Sequence, residues 1–125
     1  MCWQWMLTRS LANSNITGFS AHMNLIAVYT TVGTLEDARR LARSAVEAKL
    51  AACVQFENIE SIYAWKGGIE CQAEVRLVFK TTADLYDKLK VALLQIHPYE
   101  LPAIYAVDVG RATEPYANWV SESTR

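Results

Sequence analysis

Apolar and polar residues fall into regular periods only from Asn24 onward. Leu25-Ile26-Ala27-Val28-Tyr29-Thr30 is an unbroken run of strand length, the pattern of a strand covered on both faces. Gly33 interrupts it, and Thr34-Leu35-Glu36-Asp37 opens a helix with a capping hydroxyl and acids in its first turn. Ala38, Leu41, Ala42, Ala45 and Val46 then repeat at helical spacing, with Arg39, Arg40, Arg43 and Glu47 opposite, up to an end near Lys49. Residues 52–57 read as a second strand and 61–65 as a third, closed by the hairpin turn Lys66-Gly67-Gly68.

The next strand is the most regular feature. Ile69, Cys71, Ala73, Val75, Leu77 and Phe79 occupy one face, and Glu70, Gln72, Glu74, Arg76 and Lys80 the other, with Val78 the exception. It is about twice the usual strand length. A second helix starts at Thr81 or Thr82, turns Leu85, Leu89, Ala92, Leu93 and Ile96 inward, and stops before Pro98. Residues 103–109 form a strand that is apolar on both faces, and Gly110 ends it. Residues 114–120 fit a short closing helix with Pro115 in its first turn.

The order β-α-β-β-α-β plus a terminal helix predicts an α+β fold, a ferredoxin-like sandwich with both long helices on one face of an antiparallel sheet. In a monomer the other sheet face lies open to water. The first and last strands are nonetheless apolar on both sides, and the long hairpin overhangs so small a domain. Both features predict obligate self-association.

Residues 1–22 carry no such periodicity, no acid and one base, Arg9. Their apolar residues precede the polar ones, the reverse of a secretory signal. We expect an N-terminal extension over 1–22, with Met23 as the natural start of a single domain over 23–125. In the alternative, Trp3, Trp5 and Met6 dock on the domain or on a neighbouring subunit.

Composition narrows the functional classes. The chain is 52% hydrophobic and 20% charged, enough apolar content for a core. Twelve Lys and Arg against 13 Asp and Glu give a net charge of −1, with bases and acids interleaved, which argues against a nucleic-acid partner. No apolar stretch approaches the roughly 20 residues that span a bilayer, so no membrane partner is expected. Cys2, Cys53 and Cys71 form no C-x-x-C pair, and a reducing, cytoplasmic home is the simplest reading.

Candidate chemistry is sparse. His97-Pro98-Tyr99-Glu100 sits where the second helix gives way to the last strand. His97 is a candidate metal ligand, with Glu100 as an oxygen donor or as the group orienting the ring. In the alternative, His97 bonds the last helix carbonyls. Cys53 is a third candidate donor, although its apolar surroundings favour a core thiol, and the same holds for Cys71. Tyr63, Trp65, Glu74 and Lys80 lie near the hairpin and, with Trp119, line a candidate intersubunit pocket; the alternative is interface packing, with Trp119 anchoring the last helix. No nucleophile elbow, P-loop, dinucleotide-binding or H-E-x-x-H motif is present, so no enzyme is expected and no cofactor is required.

Several segments together resemble a known family. Lys49-Leu50-Ala51-Ala52-Cys53-Val54, Ser61-Ile62-Tyr63-x-Trp65-x-Gly67-x-Ile69-Glu70, Glu74-Val75-x-Leu77-x-x-Lys80-Thr81, His97-Pro98-Tyr99-Glu100-x-Pro102 and Tyr116-x-x-Trp119 are similar to the CutA divalent-cation-tolerance family. The resemblance covers residues 25–124. It implies a tight homotrimer, similar in architecture to the PII signalling proteins, with intersubunit sheet pairing that involves the long hairpin. It also implies a role in tolerance of divalent cations, copper especially, and no established reaction. Some bacterial members have a cysteine at the position of Tyr29 and a histidine at that of Ile96, to which copper ligation is ascribed. With only His97 left of that set, Cu(II) or another divalent ion is expected to bind weakly. The alternative function is a PII-like trimeric sensor or scaffold that binds a small ligand or a protein at intersubunit pockets.

Overall fold

A computed structural model describes residues 24–125. The expected extension over 1–22, with its candidate docking residues Trp3, Trp5 and Met6, lies outside the described residues. The elements run β1 (Leu25–Val32), α1 (Leu35–Glu47), β2 (Cys53–Trp65), β3 (Gly68–Thr82), α2 (Tyr86–Ile96), β4 (Tyr105–Asp108) and α3 (Glu114–Ser123). A single 3₁₀ turn over Ala83–Leu85 leads into α2.

Local chemistry sets these boundaries. The Thr34 hydroxyl accepts the Asp37 amide at 3.1 Å, so α1 begins at the residue after it, and Glu36 and Asp37 sit against its amino end. The helix closes with Lys49 at φ 60, whose amide bonds the Val46 carbonyl while the Leu50 amide bonds that of Ala45. That left-handed closure releases the chain toward β2. At the hairpin tip, Lys66 at φ 49 and Gly67 at φ 83 make a two-residue turn of the kind whose twist matches paired strands.

The four strands are ordered β2-β3-β1-β4, every neighbouring pair antiparallel, as a ferredoxin-like fold requires. One sheet face carries Ile26, Val28, Val32, Val75, Leu77 and Phe79, packed under Ala38, Leu41 and Ala45 of α1 and Leu89 and Leu93 of α2. Burying these side chains supplies the main stabilisation. A smaller cluster, Leu25 and Ala52 beneath Ala117 and Val120, fastens α3 to one end of the opposite face.

The second helix begins at Tyr86 rather than at Thr81 or Thr82, because those two residues still pair with Ile26 and Leu25 of β1. Four features of the sheet also depart from the sequence pattern. The segments 52–57 and 61–65 are one 13-residue strand, because β3 offers ladder partners to Asn58 and Glu60 as well and so overrides their weak strand preference. The last strand is only four residues long, and all four are exposed at the edge of the sheet. Cys71 is exposed rather than core, together with Ile69 and Ala73, because β1 and the helices stop short of the hairpin tip. Glu74, on the polar face of β3, is buried.

Replacing the α1 cap tests the local account. Thr34→Ala is expected to lower stability by about 1 kcal/mol, and Thr34→Ser to retain most of it. Guanidinium unfolding of the two variants measures the difference.

Candidate functional site

The segment that follows α2 joins three elements. Arg40 of α1 donates to the Ile96 carbonyl at 3.0 Å, satisfying the end of α2, and to the Asp37 carboxylate at 2.9 Å. The next residue, His97, places Nε2 2.9 Å from the Thr30 hydroxyl of β1. Its Nδ1 accepts the Tyr99 amide at 3.2 Å. An amide only donates, so Nδ1 is unprotonated and the ring proton sits on Nε2, facing Thr30. Burial lowers the His97 pKa, and the nearby Arg40 adds to this, while the Thr31 backbone and Asp37 pull the other way.

Tyr99 passes beside Gly33 and donates its hydroxyl to Glu74 at 2.5 Å. Glu74 is the first β3 residue past the end of β1, opposite Ile59. Burial, then the Glu74 carboxylate, pushes the Tyr99 phenol well above its ordinary range. The adjacent Glu100 pairs with Lys66 at the hairpin tip at 3.6 Å, a contact that is largely exposed. Lys66 also lies over the Trp65 ring. Tyr63 donates to Gln72 at 2.9 Å, and its phenol is raised by desolvation and by Glu74 and Glu70.

The candidate metal donors have separate partners. His97 is held by Thr30 and Tyr99, Glu100 by Lys66, and Cys53 lies under α3 with Sγ 3.8 Å from the Tyr116 hydroxyl. Among the described residues no group of three or more His, Cys, Asp and Glu side chains could hold a metal ion. These three side chains are not gathered into a metal centre among the described residues.

The candidate pocket residues all belong to the sheet face away from α1 and α2, but they form two groups. Tyr63, Trp65 and Glu74 lie in the overhanging part of the hairpin. Lys80 lies at the other end, donating to Gln55 at 2.9 Å, near Trp119, which packs on Tyr116 with ring centroids 5.9 Å apart. Six residues of strand, about 20 Å, separate Glu74 from Lys80. The contributions missed from sequence are those of Thr30, Arg40 and Tyr99. Tyr99 stood in a visible motif, but its contact with Glu74 spans 25 residues and has no local pattern.

The His97 environment makes a pH prediction. A folded-state pKa below the unfolded value of about 6.5 means that the folded chain resists protonation. The stabilisation is complete above about pH 6.5 and is lost as pH falls toward the lowered folded value. His97→Gln is therefore expected to show a shallower loss of melting temperature than wild type as pH falls from about 7 to about 5.

The fold and these contacts can be set beside known proteins. Residues 26–123 match the family described as CutA1 divalent ion tolerance protein. The divalent-cation tolerance protein CutA of Pyrococcus horikoshii is 36% identical over 101 residues, covering 81% of this chain and 99% of its own. The chloroplastic protein CutA 1 of Oryza sativa is 36% identical over 117 residues, covering 93% of this chain and 66% of its own. The structure of the periplasmic divalent cation tolerance protein CutA from Archaeoglobus fulgidus superposes with a TM-score of 0.80 at 31% identity, over 81% of this chain and 99% of that one. The match takes in the long hairpin, the His97–Glu100 segment and the terminal helix alike, and this chain belongs to the CutA1 divalent ion tolerance family.

Proposed function

We propose that this protein acts in divalent-cation tolerance as a homotrimer in which each long hairpin and open sheet face is covered by neighbouring subunits. The observation that carries the assembly is the exposure of Ile62 and Ile69, at 72% and 74%, on an overhanging hairpin. Those two isoleucines share the helix side of the overhang, and Tyr105 and Val107 add separate apolar surface on the open face. A soluble monomer rarely displays apolar groups of this size on both faces. The number three and the cation role rest on family membership.

Cu(II), or a similar divalent ion, binds weakly in this reading. His97 is the imidazole donor within the described residues, and Glu100, three residues on in sequence, is the carboxylate that would have to leave Lys66 to join it. A metal at Nδ1 has to displace the Tyr99 amide, and one at Nε2 has to displace a proton and the Thr30 contact. Both requirements weaken binding, and further donors have to come from another subunit.

A second reading, a PII-like sensor or scaffold, draws on the two separated groups of pocket residues. A site using Tyr63, Trp65 and Glu74 together with Lys80 and Trp119 is completed only between subunits. We assign no catalytic step and no required cofactor. We read the compartment as cytoplasmic and reducing, a reading supported by the scarcity of pairable cysteines. The relatives' names include chloroplastic and periplasmic forms.

Light scattering at micromolar concentration is expected to report a trimer, and Ile62→Lys combined with Ile69→Lys to shift it toward monomer. A monomeric wild type would overturn the assembly. Copper titration with reduced thiols is expected to show weak binding that His97→Ala abolishes and that fades only below the ordinary histidine range of about 6.5, because the buried ring resists protonation. Equal affinity in both proteins would remove His97 from the ligand set. Calorimetry against a nucleotide panel tests the sensor reading.

A further inference from the structure

The hairpin outruns its support. The β1–β3 register ends at Val32 opposite Val75, whereas the β2–β3 ladder continues to Trp65 opposite Gly68. From Glu74 outward the two strands have only each other, and an isolated two-stranded ribbon in water is marginally stable. Two adjacent residues of the loop after α2 reach this unsupported part. Tyr99 donates to the buried Glu74 at its root at 2.5 Å, and Glu100 meets Lys66 at its tip at 3.6 Å. The loop is itself fixed on both sides. His97 joins β1 through Thr30 and holds the Tyr99 amide, and Arg40 of α1 holds the Ile96 carbonyl.

We infer that residues 97–100 form a strap that sets the angle of the hairpin against the domain, with Tyr99 and Glu100 as the positioning residues of the intersubunit contact. The inference rests on the homotrimer reading and names what holds the contact surface in place. The two contacts have different weight. The Tyr99–Glu74 bond is shielded and charge-assisted, so it does most of the holding. The Glu100–Lys66 pair is exposed, with side chains 73% and 67% accessible, so it supplies register with little energy and weakens with salt. Neither Tyr99 nor Glu100 belongs to the apolar hairpin surface. Their effect on assembly passes through the hairpin's position.

The experiment compares wild type with Tyr99→Phe, which keeps the ring and removes only the hydroxyl. Hydrogen exchange of residues 59–74 is expected to speed up about tenfold in the variant, while exchange in β1 and α1 stays unchanged. Light scattering on dilution is expected to show dissociation at higher concentration than for wild type. Glu100→Lys and Lys66→Glu are each expected to loosen the hairpin slightly at low salt, and the double exchange to restore it. Rescue by the exchanged pair is a result that general damage to the fold does not produce.

Hairpin exchange in Tyr99→Phe within twofold of wild type would overturn the strap. Faster exchange with unchanged dissociation would overturn the positioning role. A wild-type protein that scatters as a monomer would overturn the homotrimer reading itself, and with it the positioning role. The exchange comparison would still decide whether the strap holds the hairpin.

Discussion

Antiparallel pairing along β3 is the constraint on which the rest of the structure depends. This one 15-residue strand carries β2 on one side and β1 on the other. Its alternation sends Val75, Leu77 and Phe79 to the helices and Arg76, Val78 and Lys80 to the open face. Because β1 has eight residues and β2 thirteen, the ladder runs out of partners on the β1 side first. The overhang, the exposed isoleucines and the need for a contact from the loop after α2 all follow from that mismatch in length.

The two sheet faces divide the work. The helix-covered face is a closed apolar core with Val28, Leu77 and Phe79 fully buried. The other face is finished only at one end, where α3 sits over Leu25 and Ala52. Across its middle, Tyr29 and Tyr105 stack at 5.4 Å, with the Arg76–Glu57 pair on β3 and β2 close by. Stacked rings beside an ion pair make a surface that is half apolar and half polar, as protein contact surfaces commonly are.

Period-two and period-3.6 patterns made much of the fold legible. The alternation from Ile69 to Lys80, the Thr34 cap and the Pro98 stop each gave an element its type and an end. Parity alone sent Glu74 to the solvent side, and it is indeed on the face away from the helices. What hides it is Tyr99, delivered by a distant loop. The break read between Glu57 and Ser61 vanished for a similar reason, since Asn58 and Glu60 are strand residues only because β3 pairs with them. His97 stood out as a lone imidazole, but its two hydrogen-bond partners, one 67 residues away in β1, depend on tertiary packing. Local pattern finds elements well. It finds contacts between them poorly.

The unsupported length of the hairpin makes it a lever. From Glu74 to Gly68 the strand extends about 20 Å, at roughly 3.3 Å per residue. A tilt of about 5° at the root then moves the tip by roughly 2 Å. A gap of only 0.5–1 Å already forfeits about a quarter to a half of a dispersion contact. A surface built at the end of such an arm is therefore governed by angular stiffness at its base, so small changes at the root are magnified at the tip.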